Sequence, residues 1–173
     1  MKHVASLILA ASMLFVVAGC GSGLLNSTPE QLGESIYLSV KNDNFDGYRS
    51  LYPTAADIDE IVEKQVGEGS PEEKAEARER AEEQLARTDA RAQESFGELR
   101  ADMQEAGFDI EASAWEGVEV KKREAEKNIE VVDIKLFFKE GDRTGTILVR
   151  GAGKLSRGWL LDRSPRFELY NGE

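Results

Sequence analysis

Hydrophobic positions along this chain follow three rhythms in succession. From Val4 to Ala18 no charged residue occurs. Between Thr28 and Gly107 apolar residues recur at steps of three and four, the period of a helix with one buried face. After Trp115 the step shortens to two, the period of a strand.

Within the helical region, local punctuation sets the boundaries. Thr28-Pro29-Glu30-Gln31 pairs an N-cap threonine with a first-turn proline and a capping-box glutamine, and Leu32, Ile36 and Val40 follow on one stripe. This first helix is predicted to end near Asn42-Asp43-Asn44. Phe45, Tyr48, Leu51 and Tyr52 form a short aromatic segment stopped by Pro53. Thr54 with Asp57 opens a helix carrying Ile58, Ile61 and Val62, closed by Gly67 and Gly69. Ser70-Pro71-Glu72-Glu73 is another capping box, and the spacing predicts one long charged helix from Pro71 to Ala106, with Gly107 beyond its end. Its first half is polar nearly all round; Leu85, Ala92, Phe96, Leu99 and Met103 strengthen the apolar stripe only later.

The strand region reads as a series of hairpins. Val118 and Val120 alternate with charged residues, and Val132, Ile134, Leu136 and Phe138 alternate with Val131, Asp133, Lys135 and Phe137 in a longer strand; Glu140-Gly141-Asp142-Arg143 is a turn. Thr146 to Arg150 forms the next strand and Gly158-Trp159-Leu160-Leu161-Asp162 the last. Helices first and hairpin-connected strands after is an α+β order: N-terminal helices packed on a curved antiparallel sheet of about four strands.

The uncharged N-terminal run has 15 residues, behind Lys2 and His3. That length suits a signal peptide and falls short of the roughly 20 residues of a spanning helix. Val17-Ala18-Gly19-Cys20 resembles the lipobox of bacterial lipoproteins, which implies cleavage before Cys20 and acylation of its thiol. The expected organisation is a signal peptide over residues 1–19, a lipidated tether over 20–27 and a single domain over 28–173. Two or more acyl chains would hold the domain on a membrane without spanning it. Gly21 stands where an aspartate would, in enteric-type bacteria, retain a lipoprotein at the inner membrane, so the expected location is the cell envelope, at the periplasmic face of an outer membrane where there is one.

Removal of residues 1–19 leaves 21 basic and 33 acidic side chains. A surface of that sign repels phosphate backbones and anionic headgroups, so no nucleic acid is expected as a partner. The charge is uneven: Cys20 to Glu116 carries 9 basic and 23 acidic residues, Gly117 to Arg163 carries 11 and 8. The chain's one histidine is His3 and its one cysteine Cys20. A mature chain without either lacks serine–histidine and cysteine–histidine nucleophiles and zinc sites built on those ligands. Carboxylate acid/base chemistry, a Ser–Lys pair and oxygen-ligand metals stay open; no catalytic residue, metal or cofactor is assigned.

The long strand from Ile129 to Phe138, a glycine turn, a second long strand and then Gly158-Trp159-Leu160-Leu161-Asp162 resemble the small NTF2-like (cystatin-like-fold) lipoproteins. In those families a glycine–tryptophan step leads the final strand of a sheet that wraps around helices. The resemblance spans roughly Thr28 to Arg163 and implies a fold without implying one function, since such folds host enzymes, binding modules and structural domains. The long charged helix departs from a compact domain of that kind.

Candidate sites follow from these placements. Tyr48, Tyr52, Phe96, Trp115, Phe137 and Trp159 either line a concave ligand cleft, with Asp133 and Arg150 as its polar groups, or pack as core. Asp57, Asp59, Glu60 and Glu63 either hold a hard cation or form a solvated helix face. Lys121-Lys122-Arg123 is a basic run at a strand end. Taken together the expectation is a non-enzymatic envelope lipoprotein acting as a binding or interaction module. The alternatives are a small-molecule-binding or weakly enzymatic domain using carboxylates in an aromatic cleft, and an assembly subunit acting through the acidic helix. The expected partners are the membrane, through the anchor, and a protein partner or a second copy in a homodimer.

Overall fold

The computed structural model describes residues 26–124 and 128–170. Cys20, the signal peptide and nearly all of the tether lie outside the described residues. The described chain is α+β, with five α-helices preceding a curved, open antiparallel sheet of five strands.

The helices are α1 (Pro29–Lys41), α2 (Phe45–Arg49), α3 (Ile58–Val66), α4 (Pro71–Ala86) and α5 (Thr88–Glu105). The strands are β1 (Ala114–Lys122), β2 (Val131–Glu140), β3 (Arg143–Leu155), β4 (Gly158–Leu160) and β5 (Arg166–Leu169). Their order is β1-β2-β3-β4, with β5 also paired to β3. Thus the long β3 carries two short partners along one edge: β4 pairs with Gly153 to Leu155 and β5 with Gly145 to Leu148.

Capping chemistry starts the helices where the sequence places them. Thr28 Oγ1 accepts from the Gln31 amide at 3.3 Å, while the Gln31 side chain reaches past Thr28 to accept from the Ser27 amide at 2.8 Å. The Ser70–Glu73 box is reciprocal, at 3.2 and 2.7 Å. Each such cap is worth about 1 kcal/mol.

One expectation needs correction. The segment from Pro71 to Ala106 is not a single long helix: it divides into α4 and α5 at Arg87. The Arg87 amide donates to the Gln84 carbonyl three residues back, at 3.2 Å, and the Thr88 hydroxyl donates to the same carbonyl at 3.1 Å. A threonine that bonds back to the preceding turn competes with the main-chain ladder and bends the helix there. The two halves then serve different neighbours, α4 packing on α3 and α5 on α2, α1 and β5.

The sheet is covered on both faces, unequally. Leu136 and Phe138 of β2 and Ile147 and Val149 of β3 are essentially buried and meet Leu32, Ile36, Tyr48, Leu99 and Met103 from the helices. At Gly33 an added Cβ would lie 2.6 Å from Leu136 Cδ2, so α1 presses its backbone onto β2 there. Burying each of these large apolar side chains is worth about 1.5–3 kcal/mol. A second, smaller cluster joins Ile58 and Val62 of α3 to Ala77 and Ala81 of α4.

A β-bulge separates the two zones. Val132 pairs with Ala152 and Ile134 with Val149, so Asp133 faces two residues of β3, and the Gly151 amide donates to Asp133 Oδ1 at 2.9 Å. Beyond it, Val131 pairs with Gly153 and Gly153 with Leu160. Paired residues share a face and neighbours alternate, so these three lie opposite Val132 and its core-facing fellows. Val131, Leu155 and Leu160 are nonetheless buried. α3 and α4 stand over this part of the second face without packing directly on it.

Candidate functional site: a cleft between a helical hairpin and the sheet

The β3–β4 turn, Ser156-Arg157, fastens α3 to the sheet. Arg157 Nε donates to both carboxylate oxygens of Asp57, at 2.9 and 3.0 Å, its Nη2 to the Tyr52 carbonyl at 2.6 Å and its Nη1 to the Ser50 carbonyl at 3.3 Å. Asp57 also accepts from the Thr54 amide and hydroxyl, at 2.7 and 2.9 Å. One turn on, Glu60 accepts from the Ser156 amide at 2.8 Å and from its hydroxyl at 2.6 Å. At its other end, the Lys64 carbonyl accepts from the Asn128 amide at 3.3 Å.

Held at these points, α3 and α4 leave a cleft of about 350 Å³ between themselves and the second face of the sheet. Ile58 and Ile61 of α3, Ala81 and Leu85 of α4, and Ile129, Val131, Leu155 and Leu160 of the sheet side make its body. Gln65, Gln84 and Thr88 add neutral polar groups. Its charged residues are Arg91, Arg123, Asp162 and Arg163. The volume falls within the roughly 300–1,000 Å³ of small-molecule sites, and the lining is mixed, its apolar side chains set among a comparable share of polar surface. A second depression, beside Asp102, Glu105, Phe167 and Leu169, is wide and shallow.

The residues expected to line an aromatic cleft are distributed over the molecule. Tyr48, Tyr52 and Phe96 converge, with ring centroids of Tyr48 5.2 Å from Phe96 and 5.7 Å from Tyr52, but they are packed in the main core. The Tyr48 hydroxyl meets Ser95 Oγ at 2.9 Å and the Tyr52 hydroxyl at 3.4 Å. Burial pushes the pKa of both phenols up. Trp159 is buried in the same core; its amide donates to the Asn26 carbonyl at 2.8 Å. Trp115 is half-buried, its ring centroid 5.3 Å from that of Tyr37. Phe137 lies on the opposite face of the sheet from Phe138, against Tyr170 at 5.8 Å and under the Lys135 ammonium at 5.1 Å. Arg150 is exposed. Of the eight, only Tyr52 lines the cleft, and Asp133 reaches it indirectly, 3.8 Å behind Arg123.

The acidic residues of α3 and its preceding turn are likewise separated by their partners. Asp57 faces Arg157, Asp59 Arg78, Glu60 Ser156 and Lys64, and Glu63 Lys74. Four carboxylates turned to four different neighbours do not converge on one cation. Ile61, Gln65, Gln84, Arg91 and Arg163 had no mark in the sequence as site residues, because what unites them is contact between segments far apart in the chain. The one available signal was the surplus of basic residues between Gly117 and Arg163. No protein-family model, curated protein or solved structure matches the chain.

Proposed function

We propose that this chain is a membrane-anchored envelope lipoprotein whose domain, an NTF2-like fold elaborated by the α3–α4 hairpin, binds a small apolar molecule in the cleft. The anchor rests on the order of a basic start, an apolar run and Val17-Ala18-Gly19-Cys20. The binding role is carried by one observation: a cleft of about 350 Å³ lined by Ile61, Leu85, Val131 and Leu155, at a place where the sheet and the hairpin stand apart. Among the described residues no acid/base pair converges on it, Asp162 being the one carboxylate in its lining, which favours binding over turnover. An uncharged apolar fluorophore such as N-phenyl-1-naphthylamine should bind the full chain saturably. Leu85→Trp, which places a larger ring at the cleft wall, should abolish that binding while far-ultraviolet circular dichroism stays unchanged. Undiminished binding by the variant would refute the cleft as the site.

A further inference from the structure

The charge of the cleft is opposite to that of the chain. The sequence carries a formal charge of −11, yet among the described residues the charged ones lining the cleft are three arginines and one aspartate. They come from three separate segments: Arg91 from the first turn of α5, Arg123 from just after β1, and Arg163 from the loop after β4. Asp162 and Arg163 are both exposed and lie 3.7 Å apart, and Arg123 stands 3.8 Å from Asp133. Arg91, half-buried, makes no salt bridge among the described residues. The same cleft is lined by Val131, Leu155 and Leu160, which are buried.

Resting on the binding role proposed above, we infer that the ligand is a monomeric amphiphile with one anionic head, a carboxylate or phosphate, whose apolar body enters the cleft while the head meets Arg91 and Arg163. Guanidinium groups match such oxyanions in geometry and charge. A neutral head accepts a hydrogen bond from them but gains no charge–charge attraction. A charge-assisted hydrogen bond contributes about tenfold in affinity or more.

The test is competition for the N-phenyl-1-naphthylamine site of the full chain by octanoate, octyl phosphate and octanol, which share one chain and differ in the head. Octanoate and octyl phosphate should displace the probe at about tenfold lower concentration than octanol. The gap should close in Arg91→Gln/Arg163→Gln, return in Arg91→Lys/Arg163→Lys, and shrink as salt is raised. Equal displacement by all three, in the wild-type chain, would overturn the anionic head and leave the apolar cleft standing. Failure of the probe to bind at all would instead remove the binding role on which this inference rests. Capture by phosphatidylglycerol vesicles without displacement by octanoate would overturn it in favour of a lipid surface.

Discussion

The Nε of Arg157 lies 2.9 and 3.0 Å from the two carboxylate oxygens of Asp57, across 100 residues of sequence. Asp57 has a side-chain exposure of 5 %, Arg157 of 28 %. Removing the guanidinium therefore strands a buried carboxylate, whereas removing both partners does not. Arg157→Ala should cost about 3 kcal/mol, at the low end for breaking a buried pair because Arg157 is partly wet. Asp57→Ala/Arg157→Ala should cost less than the sum of the single changes, as read from urea midpoints; strict additivity would mean the pair is uncoupled.

Two glycines should respond to alanine with opposite signs. Gly158 has φ +130°, and a Cβ there would sit 2.7 Å from the Asn26 carbonyl oxygen. Gly158→Ala should destabilise by about 1–3 kcal/mol. Gly97, on the exposed side of α5, has nothing within 4 Å of an added Cβ. Gly97→Ala should stabilise by about 0.5–1 kcal/mol. Denaturant titration of both variants decides the matter.

Alkaline pH should unfold the protein through its buried phenols. Burial raises the pKa of Tyr48 and Tyr52 in the folded state, whereas an unfolded tyrosine ionises near its ordinary 10.0. The folded chain thus holds its phenol protons where the unfolded chain releases them. Stability from this source is intact below about pH 10 and falls above it, by up to about 1.4 kcal/mol per group per pH unit. Phenolate absorbance should show Tyr48 and Tyr52 titrating only with loss of structure. In Tyr48→Phe/Tyr52→Phe the alkaline loss should be smaller; an unchanged pH profile would exclude these residues as its cause.

The α3–α4 hairpin should open without the rest. Its own cluster rests on Ile58, Val62, Ala77 and Ala81, far less apolar surface than the main core buries. Ala77→Asp places an unpaired carboxylate at a position 1 % exposed. Native-state hydrogen exchange should then show α4 amides losing protection while β2 and β3 keep theirs. Simultaneous loss in both would make the hairpin part of the global unit.

Local chemistry was readable from the sequence; long-range placement was not. The caps at Thr28 and Ser70, the switch from helical to strand period after Trp115, and the hairpin order of β2 and β3 are all written in neighbouring residues. β5 was not anticipated: four residues with only Phe167 buried carry too little pattern. The break at Arg87 was hidden because the apolar stripe stays in phase across it, from Ala77 and Ala81 through Thr88 to Ala92 and Phe96. Neither glycine nor proline marks the place. The aromatic residues were legible as apolar, and Phe137 and Phe138 had to point apart as neighbours in one strand, but which of the two faces meets the helices depends on long-range packing. The cleft depends on Arg157 finding Asp57, a match that neither local segment announces.

The break at Arg87 also bears on the cleft. Because the Arg87 amide bonds three residues back and not four, α4 and α5 meet at a pivot instead of continuing as one rigid rod. On one side of that residue α4 borders the cleft through Ala81 and Leu85, and on the other α5 is anchored in the core by Leu99 and Met103. One wall of the cleft therefore belongs to an element that is not continuous with the helix anchored in the core.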